Sequence, residues 1–209
     1  MSSPALFPAF LKLEGKKCVV VGGGPIAESK VQSLLAARAR VDVVAPKITA
    51  SLKQRARRGS LVWKRRQFEL SDLDGVFLVI AATSDEAVND LVFREADRRG
   101  TLCNAVDQPP RCHFYFPAVV RRGALQIAIS TAGHSPALAQ RIRKELEAQF
   151  GPEYEQWLER LGKIRARLMR KGISFENRKQ LLHRLASREA LVRQPERRVR
   201  KSGSQGAVA

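Results

Sequence analysis

The sequence predicts an α/β protein with a parallel central sheet, and three observations in its first half support this class. A short run of apolar, largely β-branched residues at 18–21 stops at three glycines and leads directly into a helical pattern. Further strand-like runs follow at 41–45, 61–63, 75–82 and 101–106. Helical patterns separate most of these runs, as in repeated strand–helix units. The expected fold is a Rossmann-like, doubly wound parallel sheet.

The turn after the first strand carries a dinucleotide-binding pattern. Gly22, Gly24 and Ala27 fit the form G-x-G-x-x-G/A, in which small residues let the backbone approach a pyrophosphate and let the helix pack on the sheet. Such a turn also directs backbone N–H groups and the positive end of the helix dipole at an anion. A tight turn that binds no ligand is the alternative. The apolar strand before the glycines and the amphipathic helix after them favour the dinucleotide site.

Two other strands end beside the same expected crevice, because ligands of doubly wound sheets bind outside the carboxyl ends of the strands. Ala82 and Thr83 follow the fourth strand and are candidate cofactor contacts. The second strand ends at Pro46 and Lys47, without the Asp or Glu that usually binds the ribose hydroxyls. By its chemistry alone Lys47 hints at a 2′-phosphate and so at NADP, and an ordinary solvated lysine is the alternative.

Asp107 is the candidate catalytic residue. It follows the strand at 101–106, so its carboxylate is expected at the same edge of the sheet as the glycine turn. Pro109 and Pro110 stiffen the loop that holds it. The alternative is that Asp107 only begins a turn before the two prolines, as Asp often does.

The alternation of strand and helix changes after Asp107. Two strand-like runs at 114–120 and 125–130, joined at 121–123, predict a hairpin. The second run leads into a loop at 130–136 that is rich in hydroxyl side chains and ends in a strong helix start. This loop is a second candidate anion site.

The remainder of the chain is predicted to be helical and basic. An amphipathic helix is expected up to residue 150, with two basic helices at about 153–171 and 174–192. The predicted divisions are a nucleotide-binding domain at 1–112, a small segment at 113–150, a basic helical domain at 151–193 and a disordered tail at 194–209.

The charge of the chain limits its possible partners. The net charge is +18 over 209 residues, and residues 151–209 hold 15 Lys or Arg against 6 Glu. Basic helices commonly neutralise nucleic-acid phosphates, but the same field attracts a polyanionic small molecule. Charge alone does not choose between these partners.

The expected location is the cytoplasm. No apolar run approaches the length of a membrane span, and the first ten residues lack the pattern of a signal peptide. The three cysteines include no Cys-x-x-Cys pair, so neither a disulfide framework nor a structural zinc site is expected.

Five motifs, in order and at compatible spacing, together resemble one family. They are Val-Val-Val-Gly-Gly-Gly-x-x-Ala at 19–27, Ala-Ala-Thr at 81–83, Cys-Asn-x-Val-Asp at 103–107, Phe-x-Phe-Pro-Ala at 114–118 and Ile-Ser-Thr-x-Gly-x-Ser-Pro-Ala-Leu-Ala at 129–139. The chain resembles the precorrin-2 dehydrogenase and sirohydrochlorin ferrochelatase family, a module found alone or as the amino-terminal part of siroheme synthase. The resemblance spans nearly the whole chain and weakens after about residue 150.

The resemblance implies an enzyme that uses NAD to oxidise precorrin-2 to sirohydrochlorin and, in some members, inserts ferrous iron to give siroheme. It also implies a homodimer without a permanent metal site. The expected architecture is then the doubly wound sheet, a small α+β dimerisation segment after about residue 113, and a helical C-terminal domain. Because precorrin-2 is a polycarboxylate, the resemblance also explains the positive charge.

Specific residues acquire expected roles through the resemblance. Asp107 matches the acidic residue that the family uses in catalysis, and Pro25, Ile26, Pro46 and Lys47 match cofactor-contact positions. Family members that lack an acid after the second strand still use NAD, so NAD is preferred over NADP.

The substrate-binding candidates lie in the hydroxyl-rich loop and beside Asp107. Ser130, Thr131, His134 and Ser135 match a substrate-binding loop, with Thr131 and His134 departing from the family's commoner residues. His134 is a candidate to ligate incoming iron or a substrate carboxylate, and a solvated loop histidine is the alternative. Asn104 is a further substrate-binding candidate, and a strand-end hydrogen bond is its alternative role.

Two rival functions remain open at this point. One is a non-catalytic NAD(H)-sensing protein that binds nucleic acid through its basic helices, although the sequence shows no helix-turn-helix and few aromatic residues for stacking on bases. The other is a short dehydrogenase with a small substrate. The absence of a Tyr-x-x-x-Lys pair speaks against one common type of such enzymes.

Overall fold

A computed structural model describes residues 5–192, except for the side chains of Arg188 and Val192. These residues form two compact units. The first unit contains residues up to 117 together with Ser130–Pro136, and the second contains Ala118–Ile129 and the residues from Ala137 onward. The three-part domain division expected from the sequence stays a prediction, and the tail at 194–209 lies outside the described residues.

The first unit contains a five-stranded parallel sheet, with α-helices in three of the four connections and a short 3₁₀ helix at Leu70–Leu73 in the connection from β3 to β4. The strands are β1 (Lys17–Val21), β2 (Arg40–Val44), β3 (Val62–Lys64), β4 (Leu78–Ala81) and β5 (Leu102–Ala105), and the helices are α1 (Pro25–Ala36), α2 (Ala50–Arg57) and α3 (Glu86–Arg98). The order across the sheet is β3-β2-β1-β4-β5. This arrangement confirms the predicted doubly wound fold and puts the switch in strand order between β1 and β4, where such sheets bind ligands.

The apolar character of β1 follows from burial on both faces of the sheet. Cys18 and Val20 lie in one core layer, together with apolar residues of α1 and α2. Val19 and Val21 lie in the opposite layer, together with apolar residues of α3. All four side chains are at most 2% exposed.

The three cysteines are free thiols. Cys18 and Cys103 are buried in opposite core layers. Burial raises the pKa of the Cys18 thiol to about 11 and that of the Cys103 thiol to about 12. Cys112 is only partly buried, and burial raises its pKa as well.

The second unit combines an antiparallel hairpin with helices. Its elements are β6 (Ala118–Arg122), β7 (Leu125–Ile129), α4 (Pro136–Gln149), of which all but Pro136 belong to this unit, α5 (Glu153–Arg170), α6 (Phe175–Leu185) and α7 (Arg188–Val192). The Arg122 guanidinium donates to the carbonyls of Phe150 and Glu147, at 2.8 and 3.0 Å, and so satisfies acceptors at the end of α4. Phe150 stacks on Tyr154, which meets Trp157 edge-on.

Both boundaries of the first predicted hairpin strand were wrong. The strand predicted at 114–120 begins only at Ala118, because the Phe114 carbonyl accepts a side-chain hydrogen bond and Pro117 has no N–H to donate to a ladder. The hairpin strand extends through Arg122, which the sequence placed in the turn.

The helix predicted at 174–192 is in fact two helices. α6 ends at its C-cap, Ala186, and the Ser187 hydroxyl accepts the N–H of Ala190 in the first turn of α7. Serine competes with helix continuation by making such local hydrogen bonds.

Among residues 5–192, no helix is both long and apolar enough to cross a lipid bilayer. The expected cytoplasmic location stays a prediction.

Candidate active site

Close backbone packing makes glycine necessary in the turn after β1. Gly22 has φ +122°, and a Cβ there would lie 2.2 Å from the carbonyl oxygen of Ala82. A Cβ on Gly23 would lie 2.0 Å from the carbonyl oxygen of Lys47. The turn is therefore held between the loops that follow β2 and β4. The sequence motif counts Gly22 and Gly24, whereas the structure shows that Gly23 is required for packing as well.

The start of α1 is open in the way that a pyrophosphate site requires. Gly24 is the N-cap of α1, and within residues 5–192 no side chain caps the helix there and no atom lies within 4 Å of a Cβ built on Gly24. Pro25 occupies the first helical position and Ile26 is 53% exposed. The absence of a capping side chain leaves the N-terminal backbone groups of α1 available to an anion. These residues fit the diphosphate of a dinucleotide.

Hydrogen bonds fix the loop after β2 against the glycine turn. The Thr49 N–H donates to the Gly23 carbonyl at 3.0 Å, and the Thr49 hydroxyl donates to Glu28 Oε2 at 2.6 Å. This hydroxyl also accepts the N–H of Leu52 at 3.2 Å and so caps α2. The hydrogen bond from Thr49 is the main reason that the pKa of Glu28 is lowered. Pro46 and Lys47, the predicted cofactor contacts, are exposed at this loop.

Asn89 fixes the loop after β4, and the sequence reading missed it. Its side-chain amide donates to the Thr83 carbonyl at 3.1 Å, and its Oδ1 lies 2.8 Å from the Thr83 hydroxyl. Asn89 is only 3% exposed and shares the buried face of α3 with Val92 and Ala96. A polar residue on an otherwise apolar helix face was the available signal. Ala82, whose N–H donates to Val21, is held by the sheet itself.

Asp107 occupies the predicted place beyond β5, in an unusual backbone conformation. Its φ is +60°, and the carboxylate is on an exposed residue. The preceding Val106 N–H donates to the Ala81 carbonyl at 2.9 Å, which ties the start of this turn to the end of β4. Strained non-glycine residues of this kind cluster at functional sites.

Lys30 is a second residue that the sequence reading missed. It lies on α1, partly buried, with Nζ 3.8 Å from the centroid of the Phe116 ring. Burial lowers the pKa of Lys30, and the nearby Asp107 carboxylate partly offsets this by favouring the charged form. A cation thus accompanies the candidate catalytic carboxylate, on the helix that begins at the glycine turn.

Asn104 has a clear structural contact. It is 7% exposed, and its amide donates to the Phe114 carbonyl at 2.8 Å. This contact matches the alternative role, a hydrogen bond at the end of the strand. A role for Asn104 in substrate binding stays a prediction.

The loop at Ser130–Pro136 is shaped by its own hydroxyl groups. The Thr131 hydroxyl donates to the Ser135 carbonyl at 3.1 Å and accepts the Ser135 N–H at 3.3 Å. The Ser130 hydroxyl accepts the N–H of Ala132, which has φ +49°. His134 is exposed, and its backbone N–H donates to the Thr131 carbonyl. The substrate contacts assigned to this loop stay predictions.

All the predicted site residues belong to the first unit. They are the glycine turn with Pro25 and Ile26, Pro46 and Lys47, Ala82 and Thr83, Asn104, Asp107 and the loop at Ser130–Pro136. In the part of the chain that the structure describes, no group of three or more His, Cys, Asp or Glu side chains is arranged to hold a metal ion.

Two protein families match consecutive parts of this chain. Residues 9–118 match the family described as "Putative NAD(P)-binding", and residues 122–149 match the family described as "Sirohaem biosynthesis protein central". Siroheme synthase of Photorhabdus laumondii is 41% identical over 172 residues, which cover 82% of this chain and 37% of that protein. Siroheme synthase 1 of Yersinia enterocolitica is 46% identical over 141 residues, which cover 68% of this chain and 30% of that protein.

The chain thus spans about a third of the length of these two relatives. A solved structure, that of SirC, precorrin-2 dehydrogenase, matches with a TM-score of 0.79 and 30% sequence identity, over 90% of this chain and 92% of that one. NAD is the cofactor that these matches support. The chain therefore belongs to the NAD(P)-binding family of sirohaem-biosynthesis proteins that includes SirC and the matching part of siroheme synthase.

Proposed function

We propose that this chain uses NAD to dehydrogenate precorrin-2 to sirohydrochlorin. The observation that carries the proposal is the Asp107 carboxylate, which follows β5 at the edge of the sheet that bears the glycine turn and has Lys30 as its cationic neighbour. Similarity to SirC over most of both chains supports the choice of substrate and reaction.

The proposed reaction removes a hydride and a proton from the macrocycle. Bound NAD supplies the hydride acceptor. Asp107 accepts the proton as a general base, with the Lys30 cation as its neighbour. The turn around Gly22 and Gly23 would hold the diphosphate of the cofactor.

The positive charge of the chain suits a polycarboxylate substrate. The net charge of +18 attracts the carboxylates of precorrin-2 by long-range electrostatics. Ser130, Thr131, His134 and Ser135 are the proposed substrate contacts, because their loop groups with the dinucleotide-binding unit. Asn104 is proposed to support this site through the Phe114 segment that it binds.

We also propose two finer properties. The first is insertion of Fe²⁺ into sirohydrochlorin, in which Asp107 takes up the pyrrole protons that the metal displaces. The second is a homodimer formed through the hairpin of β6 and β7. Within residues 5–192 the hairpin forms a sheet of only two strands, so its outer edges can pair with strands of a second copy.

Substitution of Asp107 tests the dehydrogenase proposal. Asp107→Asn removes the charge but keeps a residue that tolerates positive φ. NADH formation from enzymatically generated precorrin-2 is expected to fall about 10²–10⁴-fold, as for loss of a general base. Glu86→Gln, which neutralises an exposed acid in the first turn of α3, is the matched control and is expected to keep full activity.

Wild-type activity in Asp107→Asn would contradict the role of the carboxylate. The chelatase step is tested separately, by anaerobic addition of sirohydrochlorin and ferrous iron with the uncatalysed rate subtracted. No acceleration over that rate would remove this step from the proposal. Salt-dependent binding to DNA without precorrin-2 turnover would instead favour the nucleic-acid-binding NAD(H) sensor.

A further inference from the structure

The candidate catalytic residue is held only through its backbone. Within residues 5–192 no hydrogen bond or ion pair fixes the Asp107 carboxylate, whose neighbour Lys30 acts on it only through its charge. The backbone of Asp107 has φ +60°, and the next N–H, that of Gln108, donates to the Ala105 carbonyl at 3.2 Å. The direction of the carboxylate therefore depends on the turn that carries it.

The segment after Asp107 returns beside β5 in the antiparallel direction. An isolated bridge pairs Cys112 with Asn104 and fixes the far end of the segment to the sheet. Between Asp107 and this fixed end lies a short 3₁₀ helix, Pro109–Arg111, whose two prolines have no N–H to donate to a neighbouring strand. The turn thus needs contacts from side chains to keep its position.

Arg111 supplies these contacts by joining the turn to α3. Its Nε donates to Asp90 Oδ1 at 2.8 Å, and its Nη1 lies 3.3 Å from Gln108 Oε1. The backbone N–H of Arg111 also donates to the Gln108 carbonyl, at 2.8 Å. Arg111 therefore holds the residue next to Asp107 through both backbone and side chain, and ties it to a helix.

The ion pair between Arg111 and Asp90 is partly sheltered from solvent. The side chain of Arg111 is 34% exposed and that of Asp90 is 22% exposed. The hydrogen bond from Arg111 is the main reason that the pKa of Asp90 is lowered. Asp90 has a second cationic partner, Arg94 on the next turn of α3, but the side chain of Arg94 is 76% exposed and belongs to the helix and not to the turn.

Consecutive residues of α3 fix the loops after two neighbouring strands. Asn89 binds Thr83 after β4. The next residue, Asp90, binds the turn after β5 through Arg111. We propose that Arg111 is a positioning residue, whose ion pair with Asp90 keeps the Asp107 carboxylate in the direction in which it accepts the substrate proton. This inference rests on the proposed function, because it concerns the same proton transfer.

Substitution at either end of the ion pair tests the inference. Arg111→Gln and Asp90→Asn are each expected to lower kcat for precorrin-2 oxidation about tenfold, because a displaced base is still present but transfers the proton less efficiently. The KM for precorrin-2 and the Kd for NAD are expected to change less than about twofold, since the pair acts on the proton-transfer step alone. Arg94→Gln, which removes the other partner of Asp90, is the matched control and is expected to keep the wild-type kcat.

Combination with Asp107→Asn separates positioning from a general effect on structure. If Arg111 acts through Asp107, then Arg111→Gln is expected to lower kcat no further in the Asp107→Asn background. Arg111→Gln combined with Asp90→Asn is likewise expected to match either single variant. Backbone amide hydrogen exchange at residues 107–112 is expected to be faster in Arg111→Gln but not in Arg94→Gln, and the unfolding midpoint of each variant checks that it folds.

Three results would overturn the inference. The first is an unchanged kcat in both Arg111→Gln and Asp90→Asn, above all if exchange in the turn becomes faster. The second is a rise in KM with an unchanged kcat. The third is an equal loss of kcat from Arg111→Gln with and without Asp107→Asn, which would indicate a purely structural role. Wild-type kcat in Asp107→Asn alone would instead overturn the proposed role of Asp107, so the two failures are distinguishable.

Discussion

At the scale of single residues, the conformation and charge of Asp107 and Lys30 can be explained by their immediate surroundings. Asp107 adopts a left-handed backbone conformation that Asp and Asn tolerate better than most residues. Lys30 combines partial burial, an aromatic contact with Phe116 and attraction to Asp107. Neither its charge nor its position on α1 would distinguish it in the sequence from an ordinary surface lysine.

The charge of Lys30 is expected to affect the pH dependence of catalysis. Lys30→Met keeps the apolar contact with Phe116 but removes the cation beside Asp107. Because burial lowers the pKa of Lys30, its cation is lost at a lower pH than that of an ordinary lysine, so a fall of kcat/KM at alkaline pH is expected in the wild type but not in Lys30→Met. The pH–rate profile of precorrin-2 oxidation is the measurement.

Lys16→Met is the control for this change. Lys16 also lies over an aromatic ring, with Nζ 5.6 Å from the centroid of Phe77, but it precedes β1, at the opposite end of that strand from the glycine turn. The pH profile of Lys16→Met is expected to match that of the wild type. An identical change of profile in both variants would show that net charge, and not the neighbour of Asp107, sets the profile.

Among the described residues, Asp72 is the carboxylate whose pKa is lowered most. It is 1% exposed, and burial alone raises its pKa. Hydrogen bonds from Arg66, Lys64 and the Glu69 N–H outweigh this and hold the pKa of Asp72 well below its ordinary range. A lowered pKa means that its contribution to stability is present above about pH 4, the ordinary Asp value, and is lost as the pH falls below it.

Asp72→Asn is therefore expected to lower the free energy of unfolding by about 2–3 kcal/mol at neutral pH, because it leaves two cations without their buried partner. The difference from wild type should narrow at about pH 3, since Asp72 is then largely protonated in the unfolded wild-type chain and folding must release that proton. Urea denaturation at both pH values measures this. Asp74→Asn, whose side chain is 69% exposed, is expected to cost under about 1 kcal/mol, and a gap for Asp72→Asn that is independent of pH would contradict the account.

At the scale of elements, the glycine turn joins three strand ends into one site. The Gly22 N–H donates to the Val44 carbonyl, and the Gly23 carbonyl accepts the Thr49 N–H, so the ends of β1 and β2 cannot move independently. Gly22 also approaches Ala82 too closely for a side chain. Gly24 differs, because it faces open space at the start of α1.

Substitutions at Gly23 and Gly24 are therefore expected to differ in their effects on stability and on cofactor binding. Gly23→Ala should lower the free energy of unfolding by about 1–3 kcal/mol, as overpacking does, and should weaken NAD binding with it. Gly24→Ala should leave the unfolding midpoint unchanged and weaken only NAD binding, because its Cβ would meet the cofactor and no protein atom. Thermal unfolding and NAD titration of each variant check this, and equal destabilisation by both would contradict it.

Local patterns in the sequence predicted most of the elements, but not the contacts between distant ones. The strands from β1 to β5 were evident because burial on both faces demands apolar, β-branched runs. The strand expected at 114–120 was misplaced for two reasons. The Phe114 carbonyl accepts a hydrogen bond from the Asn104 side chain, and Pro117 has no N–H with which to pair. Lys30 was missed because its partner Phe116 is far along the chain, and no local pattern records such a pairing.

At the scale of the whole molecule, the excess of positive charge is the dominant property. Half of the net charge lies in residues 151–209, where Lys and Arg outnumber Glu by 15 to 6. Charges of this kind repel one another and thus favour an anionic ligand. Their effect is long-range and is screened by salt.

Ionic strength is expected to affect the kinetics of the two proposed substrates differently. Raising NaCl from about 50 to about 300 mM should lower kcat/KM for precorrin-2 by about tenfold, because steering of a polycarboxylate depends on the unscreened field. The affinity for NAD, which carries few charges, should change much less. Steady-state kinetics at several salt concentrations measure both. A precorrin-2 dependence no steeper than that of NAD would contradict electrostatic steering.

The two buried thiols lie on opposite sides of the sheet, so their alkylation can measure local unfolding of each helical layer. Cys18 belongs to the layer with α1 and α2, and Cys103 to the layer with α3. Neither thiol ionises readily while buried, so alkylation occurs only when its own layer opens. The rates of alkylation at Cys18 and Cys103 therefore measure separately how often each helical layer separates from the sheet. NAD binding should lower the alkylation rate of Cys18, in the layer that holds α1, more than that of Cys103.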